Sequence, residues 1–219
     1  MLETIRFRRM AISREVVYNG SMEIQLTKLQ RDIVIGTILG DGCIVLRYVN
    51  GILKIKQSER YKEYVLWLYG NLKDLCISLP KQRKDNKQWY FDTRSIQELT
   101  NFRYLFYPDG KKIIPKNISD LLTSPLSLAI WYMDDGTLDY RPKDHFAFYL
   151  ATHCFSVKDT YQLVKTLREN FGVESTVFNN LIRGKRYSRI YIGTKGRERF
   201  LHLVKPYILN CFWHKLPPL

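Results

Sequence analysis

The feature that most constrains this chain is an apolar helix that closes on an acid and a glycine, and that occurs twice. The first copy reads VIGTILGDG over residues 34–42, and the second reads LAIWYMDDG over residues 128–136. Asp41 and Asp135 stand 94 positions apart in a chain of 219 residues with a formal net charge of +14. A carboxylate is badly placed at a helix C-terminus, where the macrodipole puts partial negative charge and the last carbonyls lack partners. A divalent cation reverses that penalty, because carboxylate and carbonyl oxygens are the hard ligands that Mg²⁺ prefers. Gly42 and Gly136 suit the left-handed conformation that stops a helix. Asp-Gly is also a common turn dipeptide, so the argument rests on the repetition.

The segments after the two acids run in parallel. After Asp41, CIVLRYV and ILKIKQ read as two strands joined at Asn50-Gly51, a hairpin signal. A helix is expected over about 58–78, with Tyr61, Tyr64, Val65, Leu68 and Leu72 at helical spacing. The basic stretch KQRKDNKQ then masks one strand, WYFDT forms another, and a helix spans about 95–107. After Asp135 a strand pair covers 137–154, and a helix runs over 157–171 with Ser156 as N-cap and Asp159 three residues on. A strand at 173–178, the basic loop NNLIRGKRYS, the strand RIYIG and a helix over 195–209 complete the half. Each half closes with lysine shortly before proline, at Lys112 and Lys215. These lysines are either paired site residues or solvated loop exits. A duplicated chain implies pseudo-twofold symmetry, and Gly36 and Ala129 are small enough for the two acid-ended helices to pack closely.

The 35 Lys and Arg outnumber 21 Asp and Glu, which favours nucleic acid as the partner over a membrane surface. No apolar run is long enough to span a bilayer, and no apolar signal core opens the chain. A soluble intracellular protein is expected, in a cytoplasm or an organelle matrix. The four cysteines, at 43, 76, 154 and 211, form no Cys-x-x-Cys pair, and the four histidines show no metal-binding spacing. His153 and His214 read as satisfied structural histidines, with a functional role as the alternative.

Strand alternation sets Lys54 and Lys56 on one face and Leu53 and Ile55 on the other. Arg189 and Tyr191 likewise oppose Ile190 and Ile192. This is the pattern of a sheet with helices behind and a charged face in front. Such a ribbon fits the DNA major groove. Its contact residues are expected to be Arg47, Lys54, Lys56 and Arg189, with Lys81, Arg83, Lys84, Lys87, Arg183, Lys185 and Arg186 on flanking basic tips.

With these residues in view, the chain resembles a LAGLIDADG homing endonuclease of the single-chain, two-motif branch. VIGTILGDG and LAIWYMDDG fit the family motif, with Asp41 and Asp135 at its eighth position. The stretches PLSLAIWYMDDG, LVKPYI and the Lys-Leu-Pro ending are similar to intron-encoded, mitochondrial-type members, and the likeness covers residues 28–219. It implies an α+β fold of two αββαββα halves, over 25–115 and 116–219, whose sheets form a saddle on double-stranded DNA. Residues 1–24 fall outside it, as a basic arm or tail carrying Arg6, Arg8, Arg9 and Arg14. The resemblance further implies a monomer that hydrolyses both strands of a long site with Mg²⁺, leaving 3′ overhangs. Mn²⁺ is expected to substitute, and Ca²⁺ to bind without supporting cleavage. Asp41 and Asp135 would hold metal with the carbonyls of Gly40 and Asp134, and Lys112 and Lys215 match the family's basic residues near the site.

Two departures stand out. Ile130 occupies a motif position that is usually small, so the helix packing must be asymmetric, and Asp134 adds an extra acid. Two other functions use the same basic surface: an RNA-binding maturase acting on intron RNA, and a non-catalytic DNA-binding regulator. Retention of both acids favours cleavage.

Overall fold

The computed structural model describes residues 15–18, 21–141, 145–182 and 185–218. Arg6, Arg8, Arg9, Arg14 and Arg183 lie outside the described residues, as do the side chains of Lys185 and Arg186. Within the expected tail, β1 (Glu15–Tyr18) and β2 (Ser21–Ile24) pair as an antiparallel hairpin.

The first half then runs α1 (Lys28–Leu39), β3 (Cys43–Arg47), β4 (Asn50–Gln57), α2 (Lys62–Leu72), β5 (Lys81–Gln82), β6 (Trp89–Asp92) and α3 (Gln97–Phe106). A short α4 (Ile118–Leu121) leads to the second half. That half runs α5 (Pro125–Asp135), β7 (Gly136–Arg141), β8 (His145–Ala151), α6 (Val157–Phe171), β9 (Thr176–Ile182), β10 (Lys185–Ile192) and α7 (Arg197–Val204). The order αββαββα therefore occurs twice. The sheets follow the same path, β3-β4-β6-β5 and β7-β8-β10-β9, antiparallel at every pairing.

Local chemistry explains the boundaries. Thr27 and Gln30 form a reciprocal capping box that starts α1. Ser124 caps α5 with Pro125 in its first turn, where the missing N–H costs nothing. Ser156 and Asp159 form the capping box expected for α6, and Gly172 at φ 64° ends it. Residues 126–133 of α5 are all buried, so this helix is apolar all round because it is packed on every side. Its chief neighbour is α1. A Cβ on Gly36 would come within 2.7 Å of Ile130 Cβ and the Ser127 carbonyl oxygen, so the bulk of Ile130 is matched by the absence of a side chain at Gly36. Ser127 Oγ also donates to the Asp32 carbonyl at 2.7 Å.

Four sequence expectations need correction. The first hairpin does not turn at Asn50-Gly51: Arg47 pairs with Asn50, and the tip is Tyr48-Val49, with Tyr48 at φ 58°. Gly51 lies inside β4 instead, where a Cβ would meet the α3 backbone 2.7 Å away at Leu99, and its N–H donates to Thr100 Oγ1 at 2.8 Å. The stretch 179–188 is mostly strand, because β9 and β10 pair out to Ile182 and Lys185. The helix expected over 58–78 is α-helical only over Lys62–Leu72, with 3₁₀ turns at Glu59–Tyr61 and Lys73–Leu75. Similarly, α7 stops at Val204, before a 3₁₀ turn containing Pro206, where the lost N–H cannot continue the helix.

On both sheets the alternation is as read. Leu53, Ile55, Ile190 and Ile192 are buried under helices, while Lys56 is exposed and Lys54, Arg189 and Tyr191 are half-buried on the opposite face.

Candidate active site and DNA-facing surface

The packing of α1 on α5 brings the ends of the two helices together. At this seam a Cβ on Gly40 would lie 2.4 Å from Asp134, so glycine there makes room for the Asp134 side chain. The Asp41 backbone N–H donates to Asp134 Oδ2 at 3.2 Å. Gln57, the last residue of β4, donates through Nε2 to Asp41 Oδ2 at 2.9 Å and Asp134 Oδ1 at 3.2 Å. One amide thus ties an acid from each half. Asp41 is exposed, whereas Asp134 and Asp135 are half-buried.

Each helix end is clamped by a lysine. Lys112 donates to the carbonyls of Gly40 at 2.9 Å and Gly42 at 3.3 Å. Lys215 donates to the carbonyls of Met133 at 2.6 Å and Tyr132 at 3.3 Å, and the Tyr132 hydroxyl returns a 2.6 Å bond to the Lys215 carbonyl. Cations at the C-terminal carbonyls offset the negative pole that the acids would otherwise meet alone.

The electrostatics remain strained. Burial raises the Asp135 pKa to about 6, and the Asp41 charge adds to it, against the opposing pull of Lys112 and Lys215. Asp134 is pushed well above the usual carboxylate range by burial and then by the Asp41 charge. Lys215 is lowered by burial, although all three acids act to raise it. Beneath them the Tyr64 hydroxyl is buried beside Asp134, and burial followed by the Asp134 charge raises its pKa. Tyr64, Thr37, Lys56 and Gln57 line the cleft beside Asp41 and Asp134.

A cluster of mutually repelling carboxylates beside helix-end carbonyls fits a hard divalent cation. Among the described residues no three His, Cys, Asp or Glu side chains converge as a closed cage. A cation here would therefore draw on two carboxylates, carbonyls, water and substrate oxygens, the open pattern of catalytic Mg²⁺. The Gly40 carbonyl already accepts from Lys112 and has one lone pair left for such a role.

Sequence reasoning missed Gln57 and named Asp134 as an extra acid without its contacts to the Asp41 N–H and to Gln57. The signal for Gln57 was present: it shares strand phase with Leu53 and Ile55, so a polar residue stands where the core face should be apolar.

The basic residues are less uniform than composition suggests. Arg47, Lys56, Lys81, Lys84 and Lys87 are exposed. Lys54 is ion-paired with Asp92 at 2.7 Å, and Arg83 with Asp85 at 2.7 Å. Arg189 lies over two aromatic rings. His153 stacks edge-on against Tyr187, and His214 packs near Phe212. No helix among the described residues is long and apolar enough to cross a membrane.

Comparison with known proteins agrees with this geometry. DNA endonuclease I-ChuI of Chlamydomonas applanata is 27% identical over 212 residues, covering 88% of this chain and 96% of that protein. A probable intron-encoded endonuclease 1 of Wickerhamomyces canadensis is 30% identical over 200 residues, covering 87% and 85%. The structure of the homing endonuclease I-WcaI bound to its DNA recognition sequence superposes with a TM-score of 0.75 at 28% identity, covering 88% of each chain. Residues 31–200 match the model of the LAGLIDADG DNA endonuclease family, and the chain belongs to that family.

Proposed function

We propose that this protein is a site-specific homing endonuclease that hydrolyses both strands of a long DNA target, with Mg²⁺ as its metal and 3′ overhangs as its products. The observation that carries the reading is the meeting of Asp41, Asp134 and Asp135 at two helix ends, each clamped by a lysine, beside a basic sheet face. Asp41 and Asp135 hold the metal in this reading, with the Gly40 and Asp134 carbonyls available to complete its shell. When bound, the cation supplies Lewis-acid polarisation of the scissile phosphate and lowers the pKa of water. Gln57 fixes the Asp41 carboxylate, and Lys112 and Lys215 hold positive charge where the leaving oxygen becomes negative. Arg47, Lys56, Lys81, Lys84 and Lys87 neutralise backbone phosphates.

The test is cleavage of a randomised duplex library by purified protein in Mg²⁺, with captured ends sequenced. A single enriched long site with 3′ overhangs is expected, absent in Ca²⁺ and in Asp41→Asn or Asp135→Asn. Normal cutting by both variants would overturn the metal assignment. A folded, DNA-binding protein that enriches no cut site would overturn the endonuclease reading in favour of a maturase or regulator.

A further inference from the structure

The two sheets carry different chemistry on their outward faces. On the first, Lys56 lies opposite Tyr90, and Lys54 lies opposite Asp92, its ion-pair partner. On the second, register sets Arg189 beside Phe178 and Tyr191 beside Tyr149. The Tyr149 ring centroid is 5.2 Å from that of Tyr191 and 6.2 Å from that of Phe178. Arg189 caps this aromatic patch, with Cζ 3.8 Å from the Tyr149 centroid and 5.0 Å from the Phe178 centroid. Lys54, Arg83 and Arg141 each pair with a nearby aspartate, but among the described residues no carboxylate pairs with Arg189. Its Nε is buried without a hydrogen-bond partner.

These contacts hold a planar, permanently charged fork between two rings, with no carboxylate among the described residues to neutralise it. A fork fixed in advance loses little conformational entropy when it binds. Its place in the sheet matters as much. Strand β10 is interior, flanked by β8 and β9, so Arg189 projects from the middle of the ribbon rather than from an edge or a loop tip. Edges and tips meet phosphates, whereas the middle of a ribbon faces the groove floor. There the arginine fork matches O6 and N7 of guanine.

We propose that Arg189 is a preorganised guanine reader for the half of the target that lies under the second sheet, with Tyr149 and Phe178 as the residues that position it. The inference rests on the endonuclease reading and adds one base preference to it.

The experiment repeats the Mg²⁺ library selection with wild type, Arg189→Lys, Arg189→Gln and Phe178→Ala. In the wild type one guanine position should discriminate by about 10- to 100-fold against other bases. Arg189→Lys keeps the charge but loses the rigid fork, and should narrow the guanine preference at that position alone. Arg189→Gln should move the preference to adenine, whose N6 and N7 suit a carboxamide. Phe178→Ala keeps the guanidinium but removes one of the two rings that position it, and should keep guanine while narrowing its advantage. Unchanged base preferences in both Arg189 variants would overturn the assignment and leave the endonuclease reading intact. So would a uniform loss of binding to all sequences with a smaller salt slope, which marks a phosphate anchor. Failure of the wild type to enrich any site would overturn both.

Discussion

Asp135 is held in the fold at a cost that a cation can remove. Its pKa of about 6 lies above the ordinary 3.8, so the folded chain binds that proton more tightly than the unfolded chain does. Stability from this group is greatest below the lower value and declines as pH rises from about 4 to 6. Asp135→Asn should therefore melt several degrees higher than wild type at neutral pH in chelator. The gap should close below about pH 4, where the acid is neutral in both states. Added Mg²⁺ should raise the melting temperature of wild type and leave that of the variant nearly unmoved. Equal melting of the two proteins at neutral pH would show that the Asp135 charge is not a burden. Gln57 poses a different test, because it joins Asp41 to Asp134 without adding charge. Removing such a supporting contact costs roughly 10- to 100-fold in activity. Gln57→Ala should lower the single-turnover cleavage rate by about that factor while DNA affinity measured in Ca²⁺ stays within about threefold. A matching loss of affinity would make Gln57 a DNA contact instead.

At the scale of elements, the helix pair α1–α5 is the part with least tolerance. A methyl group on Gly36 would press on the Ser127 carbonyl and on Ile130 Cβ at 2.7 Å. Overpacking of this kind costs about 1–3 kcal/mol, so Gly36→Ala should lower the urea midpoint correspondingly with an unchanged m-value. The order of elements was legible in the sequence because hydrophobic period and repetition agree: the capping box at Ser156 marks α6, and Leu53 and Ile55 against Lys54 and Lys56 fix the faces of β4. The turn at Asn50-Gly51 was misread because a glycine needed for close approach to α3 looks the same as a glycine needed for a turn. The strand 179–182 was hidden because Asn179-Asn180 and the basic residues that follow read as a loop, although Leu181 and Ile182 continue the strand. Asp41 and Asp135 were visible as a repeat and Gln57 as a polar break in strand phase, whereas the Arg189 cradle depends on which residues meet across strands, and register is not written in any one segment.

For the whole molecule, the charge of +14 makes DNA binding a matter of counterion release. Its exposed lysines are not equivalent to its paired ones. Lys56→Ala and Lys84→Ala should each reduce the slope of log K against log salt by about 1. Lys54→Ala and Arg83→Ala should reduce it less, because each removes a charge already balanced by Asp92 or Asp85. Equal slopes across the four variants would mean that the ion pairs open on DNA.

The seam between the halves also constrains how this chain could have changed in the past and could be rearranged now. Gly36 fits against Ile130, and Gly40 against Asp134, so each small residue of the first half answers a larger one in the second. Two copies of the first half would meet glycine to glycine and leave a gap. Two copies of the second would set isoleucine against isoleucine and aspartate against aspartate. The halves share an architecture yet meet at this seam as small against large, so pairing either half with itself would require a different helix spacing.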